Sequence, residues 1–152
     1  MDAVAVYEQL TERRTKFLRV DELCRLAARA VPQLLPGEAA LAEEASRALR
    51  DKQRLEVAQG EFLAAVLNDP AAGAHLCHAM LLPLPAAREQ AAEFERKGSL
   101  DLGGASVHRE GKAVVVTMRN PRFLNAEDES TLGPLELAID VALLDTGSDR
   151  RW

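Results

Sequence analysis

Gly111-Lys112-Ala113-Val114-Val115-Val116-Thr117-Met118-Arg119-Asn120-Pro121-Arg122-Phe123-Leu124-Asn125-Ala126 is the stretch on which the fold turns. Its β-branched run over 114–117 favours an extended backbone. Glu110-Gly111 is a turn signal, and the weak alternation of Ser106 to Arg109 offers a partner strand, so the segment predicts a β-hairpin. Ala113 to Val116 is apolar at every position rather than at alternate ones, which predicts a second strand covered on both faces. Downstream, Asp128 to Leu144 carries Leu132, Leu135, Ile139, Ala142 and Leu143 at helical spacing, a suitable cover. Gly133-Pro134 interrupts it. Proline removes a helical N–H and costs ~3 kcal/mol in a helix interior, so a kink or a restart is expected there.

Upstream of the hairpin the apolar spacing is helical as far as Gly98. Val6, Leu10, Phe17 and Leu18 can share one stripe of a first helix. Leu23, Leu26, Ala27, Ala30 and Val31 define a second, with Asp21 at its acidic start and Pro32 as its stop. A third begins near Glu38, offers Leu41, Ala45, Ala48 and Leu49 as a face, and breaks around Arg50-Asp51-Lys52. Gly60 is a weak point before Phe62, Leu63, Val66 and Leu67. Asn68-Asp69-Pro70 then ends one helix and caps the next, and Pro85 opens a last helix that closes at Gly98. The expected organisation is α+β: a mostly helical domain over 1–103, a hairpin and helix over 104–145, and a tail over 146–152 that should fray.

Composition limits the function classes. The chain has 152 residues, with 19 Lys plus Arg against 24 Asp plus Glu and a net charge of −5. That balance, with no basic recognition helix, disfavours a nucleic-acid-binding regulator and a general membrane-surface binder. No apolar run approaches the ~20 residues of a membrane span, and the N-terminus has no secretory pattern, so a cytoplasmic protein is expected. Hydrophobic residues make up 47% but aromatics only 4%, so the core must be built mainly from Ala, Leu and Val. The two cysteines, Cys24 and Cys77, form no disulfide framework and suit a reducing compartment.

The hairpin, its Arg-x-Pro-like loop and Leu124-Asn125-Ala126 resemble the opening of the crotonase (enoyl-CoA hydratase/isomerase) superfamily. Leu124-Asn125-Ala126-Glu127-Asp128-Glu129, Leu135-Glu136 and Ala138 to Asp145 resemble its cofactor-independent dihydroxyphenylacetyl-CoA dioxygenase branch, found in glycopeptide-antibiotic precursor pathways. Arg50-Asp51-Lys52, Gln59-Gly60-x-Phe62-Leu63 and Asp101-Leu102-Gly103 resemble landmarks of the helical extension of that branch. The resemblance covers about residues 5 to 145. It implies chemistry on an acyl-CoA thioester: an enolate-like carbanion, held in an oxyanion hole, reacts with dioxygen without metal or flavin. The glycine-rich segments that supply the oxyanion hole in crotonases have no counterpart in these residues. The chain reads as the N-terminal portion of such an enzyme, inactive alone, with a homo-oligomer or a completing polypeptide as its expected partner. A noncatalytic helical interaction or acyl-CoA-binding module is the rival reading.

The resemblance assigns no catalytic residue here but several contacts. Glu127 would stand at the edge of the acyl pocket, where a carboxylate can accept a hydrogen bond from a phenol hydroxyl; the plain alternative is an exposed acid at a helix start. Arg122 would pair with a coenzyme A phosphate, and the backbone at Leu124 and Ala126 would contact its adenine or pantetheine end. Asn125 reads better as a turn residue with unusual φ. His75-Leu76-Cys77-His78 offers two imidazoles and a thiol, but no further ligand pair follows, and a metal is not expected. Cys24 reads as a small core residue, and Arg13-Arg14-Lys16-Arg19 as a solvated helix face.

Overall fold

The computed structural model describes residues 2–147. They form seven helices and three strands: α1 (Ala3–Leu10), α2 (Val20–Ala30), α3 (Glu38–Ser46), α4 (Glu56–Asn68), α5 (Pro70–Leu81), α6 (Pro85–Lys97), β1 (Ser99–Asp101), β2 (Ala105–Glu110), β3 (Ala113–Met118) and α7 (Glu129–Leu144). The class is α+β and mostly helical, as the apolar periods predict. No helix among the described residues is long and apolar enough to cross a membrane.

The chain divides into two compact units between Leu82 and Pro83. The first is helical. Its core joins Val6 and Tyr7 of α1, Leu23, Cys24 and Ala27 of α2, Phe62 and Val66 of α4, and Ala72 and Leu76 of α5, with Leu18 and Leu35 from the connections. Hard stops act where expected. Asp69 accepts hydrogen bonds from the N–H groups of Ala71 and Ala72 at 3.0 and 2.8 Å, and Pro70 occupies the first helical position of α5. Gly73 lets α5 close on the end of α4, since a Cβ there would meet the Leu67 carbonyl oxygen at 2.6 Å.

Three expectations for this unit need correction. The stripe Val6, Leu10, Phe17, Leu18 does not lie on one helix, because α1 ends at Leu10 and Glu12, Arg13 and Arg14 follow with φ of 50°, 57° and 65°. Such left-handed turns cost about 1 kcal/mol or more per non-glycine residue. Hydrogen bonds hold this one: Arg13 N–H to Glu8 O at 2.7 Å, Lys16 N–H to Thr11 O at 2.9 Å, and Arg14 N–H to the buried Thr11 hydroxyl at 3.2 Å. The basic cluster is therefore turn rather than helix face. Arg14 pairs with Glu8, Lys16 with Glu12, and Arg19 donates to the carbonyls of Met80 and Leu82. Second, α3 buries no apolar face: Leu49 lies beyond its end and is 87% exposed, whereas Glu44 is 3% exposed. Neither Glu44 oxygen has a hydrogen bond, and the nearest cation, Arg47, stands 3.6 Å away. Third, α4 runs unbroken through Gly60.

The second unit is a three-stranded antiparallel sheet of order β1-β2-β3 with α6 and α7 packed on it. Sequence composition placed the change of character at residue 103. In the structure α6 and β1 already belong with the sheet, because Ala87 and Phe94 of α6 share a core with Leu100, Ala105, Val107, Ala138 and Val141. Strand β1 was not expected, and it makes β2 the central strand. β3 is an edge strand, so Val114, Val115 and Val116 are half-buried rather than covered on both faces. Helix α7 passes through Pro134 without a restart. Gly104 admits its first turn, since a Cβ would meet the Ser130 carbonyl oxygen at 2.8 Å.

Polar clamps tie this unit together. The fully buried Asp145, just past α7, pairs through both carboxylate oxygens with Arg109 of β2, whose guanidinium also lies 5.3 Å from the Phe94 ring centroid. Asp140 of α7 accepts the Leu84 N–H at the start of α6 at 2.7 Å. Of the expected frayed tail, Thr146 donates to Glu95 at 2.8 Å and Gly147 lies against the Arg109 guanidinium; residues 148–152 lie outside the described residues.

Candidate functional site

Arg122, Leu124, Ala126 and Glu127, the residues singled out by resemblance, share one loop between β3 and α7, and all four are exposed. The loop opens at Asn120 with a 3₁₀ turn, Pro121–Phe123. Leu124 and Asn125 then take φ of 55° and 58°. Asparagine tolerates that conformation, as its reading as a turn residue expects, but leucine does not readily do so. Leu124 is also 96% exposed, so packing does not compensate. The Arg122 guanidinium stands 5.5 Å from the Phe123 ring centroid, leaving its donors toward solvent.

What shapes the loop is Asn120, which is buried. Its carbonyl accepts from the N–H groups of Phe123 and Asn125 at 3.0 and 2.8 Å. Its own N–H donates to Asn125 Oδ1 at 2.8 Å, and its side-chain amide donates to Ala126 O at 2.8 Å and to Asp128 Oδ2 at 2.9 Å. Asp128 in turn caps α7: its Oδ1 accepts the Ser130 N–H at 2.9 Å, while the Asp128 N–H donates to Thr131 Oγ1 at 3.0 Å. Hydrogen bonds from Ser130 and Asn120 hold the Asp128 carboxyl below its ordinary value. Arg119, before the loop, donates its N–H to Gly104 O at 2.8 Å and pairs with Asp101, holding that carboxyl below its ordinary value too. A structural task thus occupies Arg119, whereas the Arg122 and Glu127 side chains are displayed.

Sequence reading missed Asn120 and Asp128 as the framework of this loop. The available signals were Asn-Pro, which favours turn initiation, and a helix-start acid three residues before Thr131.

No sequence-family profile matches the chain. Over 143 residues, 94% of its length, it is 43% identical to a curated protein of Amycolatopsis orientalis, named (3,5-dihydroxyphenyl)acetyl-CoA 1,2-dioxygenase. The chain is similar to part of an acyl-CoA dioxygenase. It spans about a third of that dioxygenase's length. So extensive a match takes in the helical unit as well as the loop, as the resemblance over about residues 5 to 145 expects.

The other sequence candidates fall in the helical unit. The Tyr7 hydroxyl is 2.6 Å from His75 Nδ1, and the His75 ring stacks on Phe17 at 4.6 Å between centroids. Burial lowers the His75 imidazole below its usual range, against an opposing pull from the Arg14 backbone, and burial first, then Glu8, pushes the Tyr7 phenol up to about 12. Both groups therefore stay neutral at pH 7. No cluster of three or more His, Cys, Asp or Glu suited to a metal occurs among the described residues. Cys24 is buried, its thiol raised by that burial, and Cys77 is exposed.

Proposed function

We propose that this chain forms the helical extension and one edge of the thioester site of a crotonase-like, cofactor-independent dioxygenase acting on (3,5-dihydroxyphenyl)acetyl-CoA. The supporting observation is 43% identity to a dioxygenase of that name along almost the whole chain. In the balanced reaction ArCH2C(O)SCoA and O2 give ArC(O)COOH and CoASH, an arylglyoxylate for antibiotic precursor synthesis in the cytoplasm. On this reading Arg122 meets a phosphate of coenzyme A, the backbone at Leu124 and Ala126 lies along its adenine or pantetheine portion, and Glu127 accepts a hydrogen bond from a ring hydroxyl. The oxyanion-hole donors come from further polypeptide, in the same chain or a second one. That polypeptide pairs with the outer edge of β3 and covers the exposed Leu132, Ile139 and Leu143 of α7.

Glu127 provides the test, in an enzyme of the relative's length that carries these residues. Glu127→Gln preserves shape and weakens a charge-assisted hydrogen bond, a loss of about 1.5–3 kcal/mol. The native substrate should lose roughly ten- to a hundredfold in kcat/KM, while an analogue without ring hydroxyls is unchanged. Equal losses would move Glu127 to proton transfer or to the fold. The 152-residue chain should show no oxygen uptake with the thioester above the no-protein rate; uptake would refute the division of the site.

A further inference from the structure

We propose that Asn120 is the positioning residue of the thioester site: it holds the loop in its binding shape before any ligand arrives. The inference rests on the acyl-CoA reading above and adds a residue to it. The loop has one conformation that needs explaining, the left-handed pair Leu124–Asn125, and its leucine is almost fully exposed. Neither burial nor glycine accounts for it, so it must be held by directional bonds. Asn120 makes five of them, two through its carbonyl, one through its N–H and two through its side-chain amide. The last two matter most, because they fasten the end of the loop, at Ala126 O, and the cap of α7, at Asp128, to a single buried group. Glu127 lies between those two anchors. Its backbone is thereby set on both sides although its side chain is bound on neither.

A site shaped in advance binds without the cost of ordering the loop. If Asn120 supplies that shape, its loss should weaken ligand binding even though no ligand touches it. Aspartate does not replace it. Both side-chain donors vanish, and a second carboxylate is brought against Asp128. The exchange N120D with D128N should recover part of the geometry, since asparagine is itself a good helix cap and can return a donor across the pair.

The experiment uses the 152-residue chain as wild type, Asn120→Ala, Asn120→Asp and the double exchange. Two readouts are taken: the Cα and Cβ chemical shifts of Leu124 and Asn125, which report the left-handed conformation, and titration with (3,5-dihydroxyphenyl)acetyl-CoA or with CoA alone. Asn120→Ala should keep the amide signals of β2 and of the middle of α7, lose the left-handed shifts, and bind at least tenfold more weakly. Asn120→Asp should be no better, and the double exchange should regain affinity. Retained left-handed shifts in Asn120→Ala, or affinity unchanged when they are lost, would overturn the inference and leave the acyl-CoA reading standing. A wild-type chain that binds neither thioester nor CoA would instead overturn the placing of the CoA contacts on this loop, and the shifts alone would then decide whether Asn120 shapes it. If Asn120→Ala unfolds the whole unit, the double exchange decides, and its failure to restore either readout counts against the proposal.

Discussion

Among the described residues, the helical unit up to Leu82 gathers thirteen buried apolar side chains in its core, whereas the unit from Pro83 gathers seven. The smaller core is accompanied by more directional bonding. Asn120, Thr131, Asp140 and Asp145 are all buried there and all make hydrogen bonds. In the helical unit Thr11 is buried and hydrogen-bonded, but the buried Glu44 makes no hydrogen bond. Where apolar area is scarce, buried polar groups are all hydrogen-bonded; where it is ample, a carboxylate with an ion pair but no hydrogen bond is tolerated.

The largest expected effect tests the apolar side of this contrast. Phe62→Ala in the helical core should destabilise that unit by about 3–5 kcal/mol, read in urea unfolding through the near-ultraviolet signal of Tyr7, the sole tyrosine. A loss below 1 kcal/mol would mean that the thirteen side chains do not act as one core. Next is the clamp. Asp145→Ala leaves the Arg109 guanidinium without its main partner and should cost about 3 kcal/mol, seen as faster amide exchange in β2 and α7. Replacing both residues with leucine should recover most of it. If the double variant is as weak as the single one, packing around Asp145 matters rather than charge.

A gain is expected at Glu44. Glu44→Met keeps the volume, removes a buried carboxylate that has an ion pair but no hydrogen bond, and should stabilise the helical unit by about 1–2 kcal/mol. A loss would show that the pair with Arg47 is worth more than its 3.6 Å separation suggests.

The smallest effect separates the units by pH. The folded state holds the His75 imidazole below 6.5, so the unfolded chain takes up a proton first as pH falls. The helical unit should therefore begin to lose stability below pH 6.5, and His75→Gln should remove that dependence. In the second unit Asp101 and Asp128 have carboxyls held below 3.8; their contribution is present above that value and is lost only as pH falls through the folded values. Thermal melts from pH 7 to 5 should thus lower the Tyr7 transition and leave the sheet unaffected. The reverse order would break the comparison.

The legible elements were those with chemical boundaries. Pro32, Asp69-Pro70, Pro85 and Gly98 each forbid or favour a specific backbone state, and helix ends fall beside all of them. Strand β1 escaped notice because three residues are too few to display a period. The left-handed turn at Glu12–Arg14 escaped for another reason, since its residues are good helix formers and single-residue preference misleads when bonds to Glu8 and Thr11 decide the backbone. Apolar spacing on α3 could not reveal that its buried position is Glu44 and not an apolar face. At the loop, resemblance pointed to Arg122 and Glu127, which are exposed, but the hydrogen bonds of Asn120 were not legible, because its side-chain partners lie five to eight positions away.

Gly104 has a consequence for genetic screens of any enzyme built on this chain. Its carbonyl receives the Arg119 N–H at the mouth of the loop, while the missing side chain leaves room for the Ser130 carbonyl in the first turn of α7. Every substitution is larger, so every one must push the cap of α7 away from the sheet. A scan scored by activity would therefore flag position 104 strongly, through its contact with the first turn of α7. Sorting such hits by whether they also shift the Leu124 resonances in the unliganded protein would separate the loop's foundations from positions that act without reshaping it.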